Sequence, residues 1–319
     1  MKKALIIGGT GFVGPYLIRH LRDDLKQSVA VTKMEYESFE MEGVKVYELN
    51  ILDKNKVEEI IRRVQPNTIY HLAAQSSVAV SWKKPQLTVD VNIQGALNIL
   101  EVLRDLKLEG YEPKVLFIGS SEEYGHIKPE ESPVKEGNAL RPGNIYAATK
   151  ACQDMLANIY ARAYGLNVVM TRSFNHTGPN QLPLFVVSDF CKQVAEIEAG
   201  LREPVIKTGN LASRRDFTDV RDIVRVYAKL VEKGKPGEAY NIGSGKSMLI
   251  SDILDIIISK AKVEIKAEVD PAKLRPIEVL DVTADTTKVK ELTGWEPEIP
   301  IEQTIEDTLE YWRNISKNA

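Results

Sequence analysis

The stretch Gly8-Gly9-Thr10-Gly11-Phe12-Val13-Gly14 follows the apolar run Ala4-Leu5-Ile6-Ile7 and leads into residues 14–25, where apolar side chains recur at intervals of three and four. Glycines between a strand and a helix serve three ends: a tight turn, close approach of a pyrophosphate to the backbone, and close packing of helix on strand. The helix N-terminus adds a favourable field for the anion. In that setting Gly8, Gly11, Phe12, Val13 and Gly14 read as the phosphate-binding turn of a dinucleotide site.

Outward from this turn, short apolar runs at residues 29–32, 44–49, 68–72, 114–118 and 167–172 alternate with helical patterns at 54–64, 91–106 and 146–164. Runs rich in Val and Ile suit strands covered on both faces, and the alternation predicts βαβ units. The expected fold is α/β, with a Rossmann-type, doubly wound parallel sheet over residues 1–172. Beyond Arg172 the alternation breaks at Pro-, Gly- and Asn-rich loops around 178–183 and 233–237. A helical pattern at 222–232 and a strand at 238–242 predict that the chain rejoins the sheet over about 216–243. Residues 173–215 and 244–319 are left as a smaller α/β substrate-binding region, closed by an amphipathic helix at 301–315.

The 319 residues are 43% hydrophobic and 27% charged, with a formal net charge of −3. That balance supports a sizeable core and gives no field to gather nucleic acid or an anionic membrane over the whole surface. No apolar stretch is long enough to span a bilayer, and the first run is too short for a secretory signal. Cys152 and Cys191 both fall in helical patterns, and with four histidines they outline neither a disulfide framework nor a metal site. The expected compartment is the cytoplasm.

An acid directly after the second strand would accept the ribose hydroxyls of NAD, but here Val31 is followed by Thr32 and Lys33, with Glu35 farther along. A hydroxyl and an ammonium at that place suit a 2′-phosphate, which selects NADP, with NAD as the alternative.

Tyr146 and Lys150 are four residues apart in a helical pattern, so they share a face and the ammonium can lower the phenol's pKa. Upstream, Ile118-Gly119-Ser120-Ser121-Glu122-Glu123-Tyr124-Gly125 places hydroxyls and a carboxylate where the fifth strand leaves the sheet, the edge at which such folds bind ligands. Glu123 reads as a solvated charge.

These residues, with His71-Leu72-Ala73-Ala74, Asn92 and Tyr146-Ala147-Ala148-Thr149-Lys150, resemble the extended short-chain dehydrogenase/reductases over almost the whole chain. The resemblance implies that Tyr146 is the general acid/base, that Lys150 holds the nicotinamide ribose and tunes Tyr146, and that Ser120 or Ser121 orients the substrate. It also places Leu72, Ala73, Ala74 and Asn92 at the cofactor, with His71 in a supporting role, and makes a homodimer through helices 91–106 and 146–164 the expected assembly. Two departures stand out. Asn50-Ile51 occupies the place of an adenine-binding aspartate, where asparagine still pairs with adenine, and Asn144-Ile145 replaces Ser-Pro before the tyrosine.

Phe174-Asn175-His176-Thr177-Gly178-Pro179, Arg215-Asp216-Phe217-Thr218-Asp219-Val220 and Leu274-Arg275-Pro276-Ile277-Glu278-Val279 resemble the GDP-sugar branch, and most closely the GDP-4-keto-6-deoxy-D-mannose reductases. Arg215 and Arg275 have the planar donors a diphosphate needs, Glu278 can accept two ribose hydroxyls, and Asn175 and Lys192 are further candidate contacts. His176 reads as a local hydrogen-bonding residue. The resemblance implies reduction of a C4 ketone to give GDP-D-rhamnose. Glu122 keeps the rival 4,6-dehydratase chemistry open, and epimerisation at C4 is a further alternative. A non-catalytic dinucleotide sensor would be expected to lack Tyr146 or Lys150, and both are present.

Overall fold

Strands flanked by helices above and below must be apolar on both faces, and the valine- and isoleucine-rich runs meet that condition by pairing side by side. In the computed structural model, which describes residues 1–273 and 281–317, the first six strands are β1 (Lys3–Ile7), β2 (Ser28–Lys33), β3 (Val44–Glu48), β4 (Thr68–His71), β5 (Lys114–Ser120) and β6 (Val168–Ser173). Later strands are β7 (Asn175–Thr177), β8 (Val205–Thr208), β9 (Arg214–Asp219), β10 (Ala239–Ile242), β11 (Ser247–Leu249), β12 (Lys266–Val269) and β13 (Asp281–Val282). Among the described residues the main sheet has seven parallel strands in the order β10-β6-β5-β4-β1-β2-β3. The order reverses between β1 and β4, so the loops at their carboxyl ends diverge and leave a crevice. The glycine turn follows β1 at that point.

The helices are α1 (Gly14–Arg19), α2 (Lys54–Val64), α3 (Val78–Lys83), α4 (Pro85–Val89), α5 (Gly95–Leu108), α6 (Ile145–Tyr164), α7 (Val186–Glu198), α8 (Val220–Lys233), α9 (Ile250–Ser259), α10 (Thr287–Thr293) and α11 (Ile301–Ser316). α2 shows how the sequence sets them. The Asp53 carboxylate accepts the Lys56 N–H at 3.0 Å as N-cap, Val57, Ile60, Ile61 and Val64 bury one face, and Gln65 ends the helix in the left-handed region at φ 48°. Each such side chain stabilises the fold by roughly 1.5–3 kcal/mol through burial. The patterns at 14–25 and 91–106 are helical, yet the first contains a five-residue π turn, His20–Asp24, and the second opens within another, Asp90–Gln94. A periodicity of three and four does not register one extra residue in a turn.

Two apolar clusters cover the sheet. One joins α2 and α5 to the strands through residues such as Ile61, Leu100 and Phe117. The other joins α1 and α8 through Leu17, Tyr227 and Leu230. A third cluster, separate from both, is built by α7, α9 and α11 around Phe190, Ile253 and Leu309. Here β9 lies between β11 and β13 and also pairs with β7, so residues 175–177 are tied to 217–219. Among the described residues no helix is long and apolar enough to cross a membrane.

Candidate active site

The glycine turn is fastened to the end of β2. Thr32 Oγ1 accepts the Gly8 N–H at 3.0 Å, and the Thr32 carbonyl accepts the Gly9 N–H at 3.1 Å. Gly8 has φ +80°, and a Cβ there would lie 2.6 Å from the Ala73 backbone. Alanine is therefore excluded by both backbone strain and space. A Cβ on Gly14 would collide with the Gly9 carbonyl, whereas at Gly11 it would meet nothing within 4 Å. The backbone at Gly11 therefore faces open space, with no side chain capping α1. This is a cradle that fits a pyrophosphate.

Around the cradle the assigned residues divide. Phe12, Val13, Leu72, Ala73 and Ala74 are half-buried beside it, and the Asn50 side chain is exposed after β3, its Oδ1 accepting the Leu52 N–H at 3.1 Å. Ile51 is buried against Gly95, so its side chain belongs to the core, and its carbonyl accepts the Asn98 amide at 2.9 Å. Three assignments are corrected. Asn92 is fully buried, with Nδ2 donating to the Gln75 carbonyl at 3.0 Å and to Thr149 Oγ1 at 2.9 Å while Oδ1 accepts the Gln75 N–H. It fixes the loop after β4 against α6 instead of touching a ligand. Thr32 is 2% exposed and supports the glycine turn from beneath. The Lys33 ammonium donates to the carbonyls of Met34 and Glu37 and to Glu48 Oε1 at 3.2 Å, so it builds the loop after β2.

At the end of β5, residues 120–124 close into one 3-10 turn. The Glu123 carboxylate accepts the Ser120 N–H at 2.7 Å and Ser120 Oγ accepts the Glu122 N–H at 3.2 Å, a capping box that fixes Ser120, Ser121 and Glu122. Glu123 is thus buried, not solvated. Its Oε2 lies 3.5 Å from Arg172 Nε, and Arg172 in turn donates twice to Asp154 Oδ2, at 2.8 and 2.6 Å. Burial and the nearby Asp154 push the Glu123 carboxyl up to about 8. The sequence hid this because Glu next to Glu at a strand end resembles any exposed acidic pair, and the only signal was the Ser-x-x-Glu spacing.

Tyr146 and Lys150 come from the first turns of α6, whose N-cap is Asn144: its Oδ1 accepts the Ala147 N–H at 2.8 Å, while its Nδ2 donates to Glu122 Oε2 at 3.0 Å. The asparagine that replaces serine before the tyrosine therefore both starts the helix and holds the carboxylate. Burial drives the pKa of the Tyr146 phenol upward, with Glu122 and Glu123 adding to the rise and the neighbouring Ser120 hydroxyl opposing it. Lys150 Nζ donates to the Ile118 carbonyl at 2.7 Å and to Gln153 Oε1 at 3.3 Å. Burial brings the ammonium down to about 8, against the pull of Glu123. His71 packs on Phe117 with 1% exposure, and burial followed by Lys150 lowers it to about 3, which makes it a neutral wall of the site.

Of the substrate candidates, Asn175 is exposed at the start of β7, opposite Phe217 of β9, and Arg215 lies two residues earlier on β9 with Nη1 donating to the Arg214 carbonyl at 2.7 Å. Lys192 on α7 is paired with Glu196 and stands over the Trp312 ring at 5.9 Å. Arg275 and Glu278 lie outside the described residues. The His176 ring stacks on Phe12 at 6.2 Å and 8°, and Tyr16 donates to the Pro179 carbonyl at 2.8 Å, so the loop after β6 is seated on the glycine turn.

A Rossmann-type sheet with a glycine turn and a buried Tyr/Lys pair defines a class, and comparison with known proteins narrows it. The GDP-mannose 4,6 dehydratase family matches residues 5–308, and the chain belongs to that family. It is 32% identical over 78% of its length to the GDP-6-deoxy-D-mannose reductase of Pseudomonas aeruginosa, covering 81% of that protein. It is 30% identical over 95% of its length to the GDP-mannose 4,6-dehydratase of Yersinia enterocolitica, covering 91% of it. Among solved structures, RMD from Pseudomonas aeruginosa complexed with NADPH superposes with a TM-score of 0.85 at 27% identity, covering 99% of this chain and 100% of that one.

Proposed function

We propose that this chain is an NAD(P)H-dependent reductase that converts the C4 ketone of GDP-4-keto-6-deoxy-D-mannose to GDP-D-rhamnose. The observation that carries the reading is the Tyr146 phenol resting on Ser120 with Lys150 one helical turn away, all at the sheet edge that holds the glycine turn. The likeness to a reductase named for this sugar supports the substrate. NADPH is the favoured coenzyme, supported by the NADPH complex of the similar RMD, and NADH is the alternative.

When bound, the reduced nicotinamide supplies a hydride to C4. Gly8, Gly11, Phe12, Val13 and Gly14 hold its pyrophosphate, Asn50 the adenine, and Leu72, Ala73 and Ala74 the wall beside it. Lys150 holds the nicotinamide ribose. Ser120 and Ser121 orient the carbonyl, and Tyr146 delivers the proton to the oxygen as it gains negative charge. A high phenol pKa keeps that proton in place until it is needed. Residues 173–215 and 244–319 form the nucleotide-sugar region in this reading, with Asn175, Lys192, Arg215, Arg275 and Glu278 as its contacts. The enzyme is read as a cytoplasmic homodimer; Met155 and Ile159 of α6, each more than half exposed, supply apolar surface for it.

One observation favours a second reading. Asn144 holds the Glu122 carboxylate at 3.0 Å, where it could remove a C5 proton in 4,6-dehydration. Purified protein given GDP-mannose alone, then the 4-keto-6-deoxy sugar nucleotide with NADPH or NADH, separates the two by nicotinamide absorbance and product analysis. Consumption of reductant with the keto sugar supports the reductase, and turnover of GDP-mannose without added reductant overturns a reductase-only enzyme. Glu122→Gln is expected to abolish any dehydration while leaving ketone reduction within about tenfold.

A further inference from the structure

The end of β2 carries no acid in sequence, yet the fold brings one there. The loop after Lys33 turns at once, Glu37 N–H donating to the Met34 carbonyl at 3.1 Å, and the Glu37 side chain folds back over the strand end. Its Oε2 accepts the Met34 N–H at 2.8 Å and the Thr10 hydroxyl at 2.9 Å, and Thr10 belongs to the glycine turn. The carboxylate therefore bridges the two segments between which the adenosine ribose of a dinucleotide lies in a doubly wound fold.

Both bonds end on Oε2, and no bond from the described residues reaches Oε1. Glu37 is also unpaired by any cation among the described residues: the nearby Lys33 ammonium takes the Glu37 main-chain carbonyl at 2.9 Å and the Glu48 carboxylate instead. The loop thus presents a fixed, uncompensated negative charge with an open acceptor. Such a group accepts a hydroxyl at little cost and repels a phosphate, because two like charges a few ångströms apart interact unfavourably even near a surface.

We propose that Glu37 is the specificity-determining residue of the adenosine ribose site, accepting the 2′-hydroxyl of NADH and narrowing the margin by which NADPH is favoured, so that both coenzymes can serve. This rests on the reading of the glycine turn as the dinucleotide site. It locates the coenzyme choice in a residue four positions beyond the strand end, in place of Thr32 and Lys33.

The test is direct binding, by calorimetric titration of NADPH and NADH and of the fragments 2′,5′-ADP and 5′-AMP, to the wild type and to Glu37→Gln. Glutamine keeps an oxygen for Thr10 and Met34 and removes only the charge. The ratio of NADPH to NADH affinity is expected to rise at least about tenfold, with 2′,5′-ADP gaining over 5′-AMP to match. Glu37→Asp, which keeps the charge, is expected to stay within about threefold of the wild-type ratio. An unchanged ratio in Glu37→Gln, with both coenzymes bound, overturns the role of Glu37 and leaves the enzyme reading intact. An equal rise in Glu37→Asp overturns it too, since charge would then not be the cause. Failure of the wild type to bind either coenzyme overturns the dinucleotide site and this proposal with it.

Discussion

The two ends of the site hold their carboxylates by different means. At the end of β5, Glu123 reaches back three residues to the Ser120 N–H, a bond made within a single turn of chain. At the end of β2, Glu37 reaches Thr10, 27 residues earlier, across a loop. The first arrangement is local and buried among Arg172, Asp154 and Lys150. The second depends on tertiary contact and stays half-exposed. Burial makes the β5 end a place where charge and proton position are controlled, whereas exposure suits the β2 end to sorting ligands by charge.

The largest expected effect lies at the β5 end. Tyr146→Phe removes the proton donor without changing the shape of α6, so turnover of the keto sugar should fall about 10²- to 10⁴-fold. Nicotinamide fluorescence titration should show the coenzyme still bound. Undiminished turnover would remove Tyr146 from the chemistry and with it the functional contrast between the two ends.

Next in size is Gly119→Ala. A Cβ at this position would collide with the Thr171 carbonyl and approach Glu123 Oε1 to 2.5 Å, so Gly119 makes the room in which the buried carboxylate sits. Overpacking there is expected to cost about 1–3 kcal/mol, read from the shift in a urea denaturation midpoint. A stability equal to wild type would mean that the turn relaxes freely and is not locked at all.

The smallest effect sharpens the electrical side. Glu123→Gln keeps the bond to the Ser120 N–H but removes a carboxyl whose ionised form, reached near pH 8, raises the Lys150 pKa against burial. Lys150, which also acts on the buried His71, then loses its proton at a lower pH than about 8. The alkaline fall of kcat should move toward acid pH, while the same variant leaves the NADPH to NADH ratio unmoved. A pH profile that stays in place would reduce Glu123 to a structural brace.

How legible these features were follows the same division. The parallel sheet was readable because strand composition, the alternation with helices and the glycine spacing are local signals that agree. The placement of Tyr146 and Lys150 on one helix and of Ser120 and Ser121 at one strand end was readable for a related reason, since each sits at a fixed offset within its element. Asn92 was placed near the cofactor, but its amide is wholly taken by Gln75 and Thr149, partners 17 and 57 residues away that no spacing predicts. Lys33 was matched to a phosphate on its position alone, and the fold gives it Glu48 and two carbonyls.

Sequence alone determined the fold class, the glycine turn between β1 and α1 and the placement of tyrosine and lysine one turn apart on a single helix, because each follows from backbone geometry repeated over a few residues. Tertiary structure alone decided which of two adjacent glutamates is buried, that Asn144 both caps α6 and steers Glu122, and that an acid stands at the end of β2. Those outcomes depend on desolvation and on hydrogen bonds between distant segments. Neither is set until the chain has closed around them.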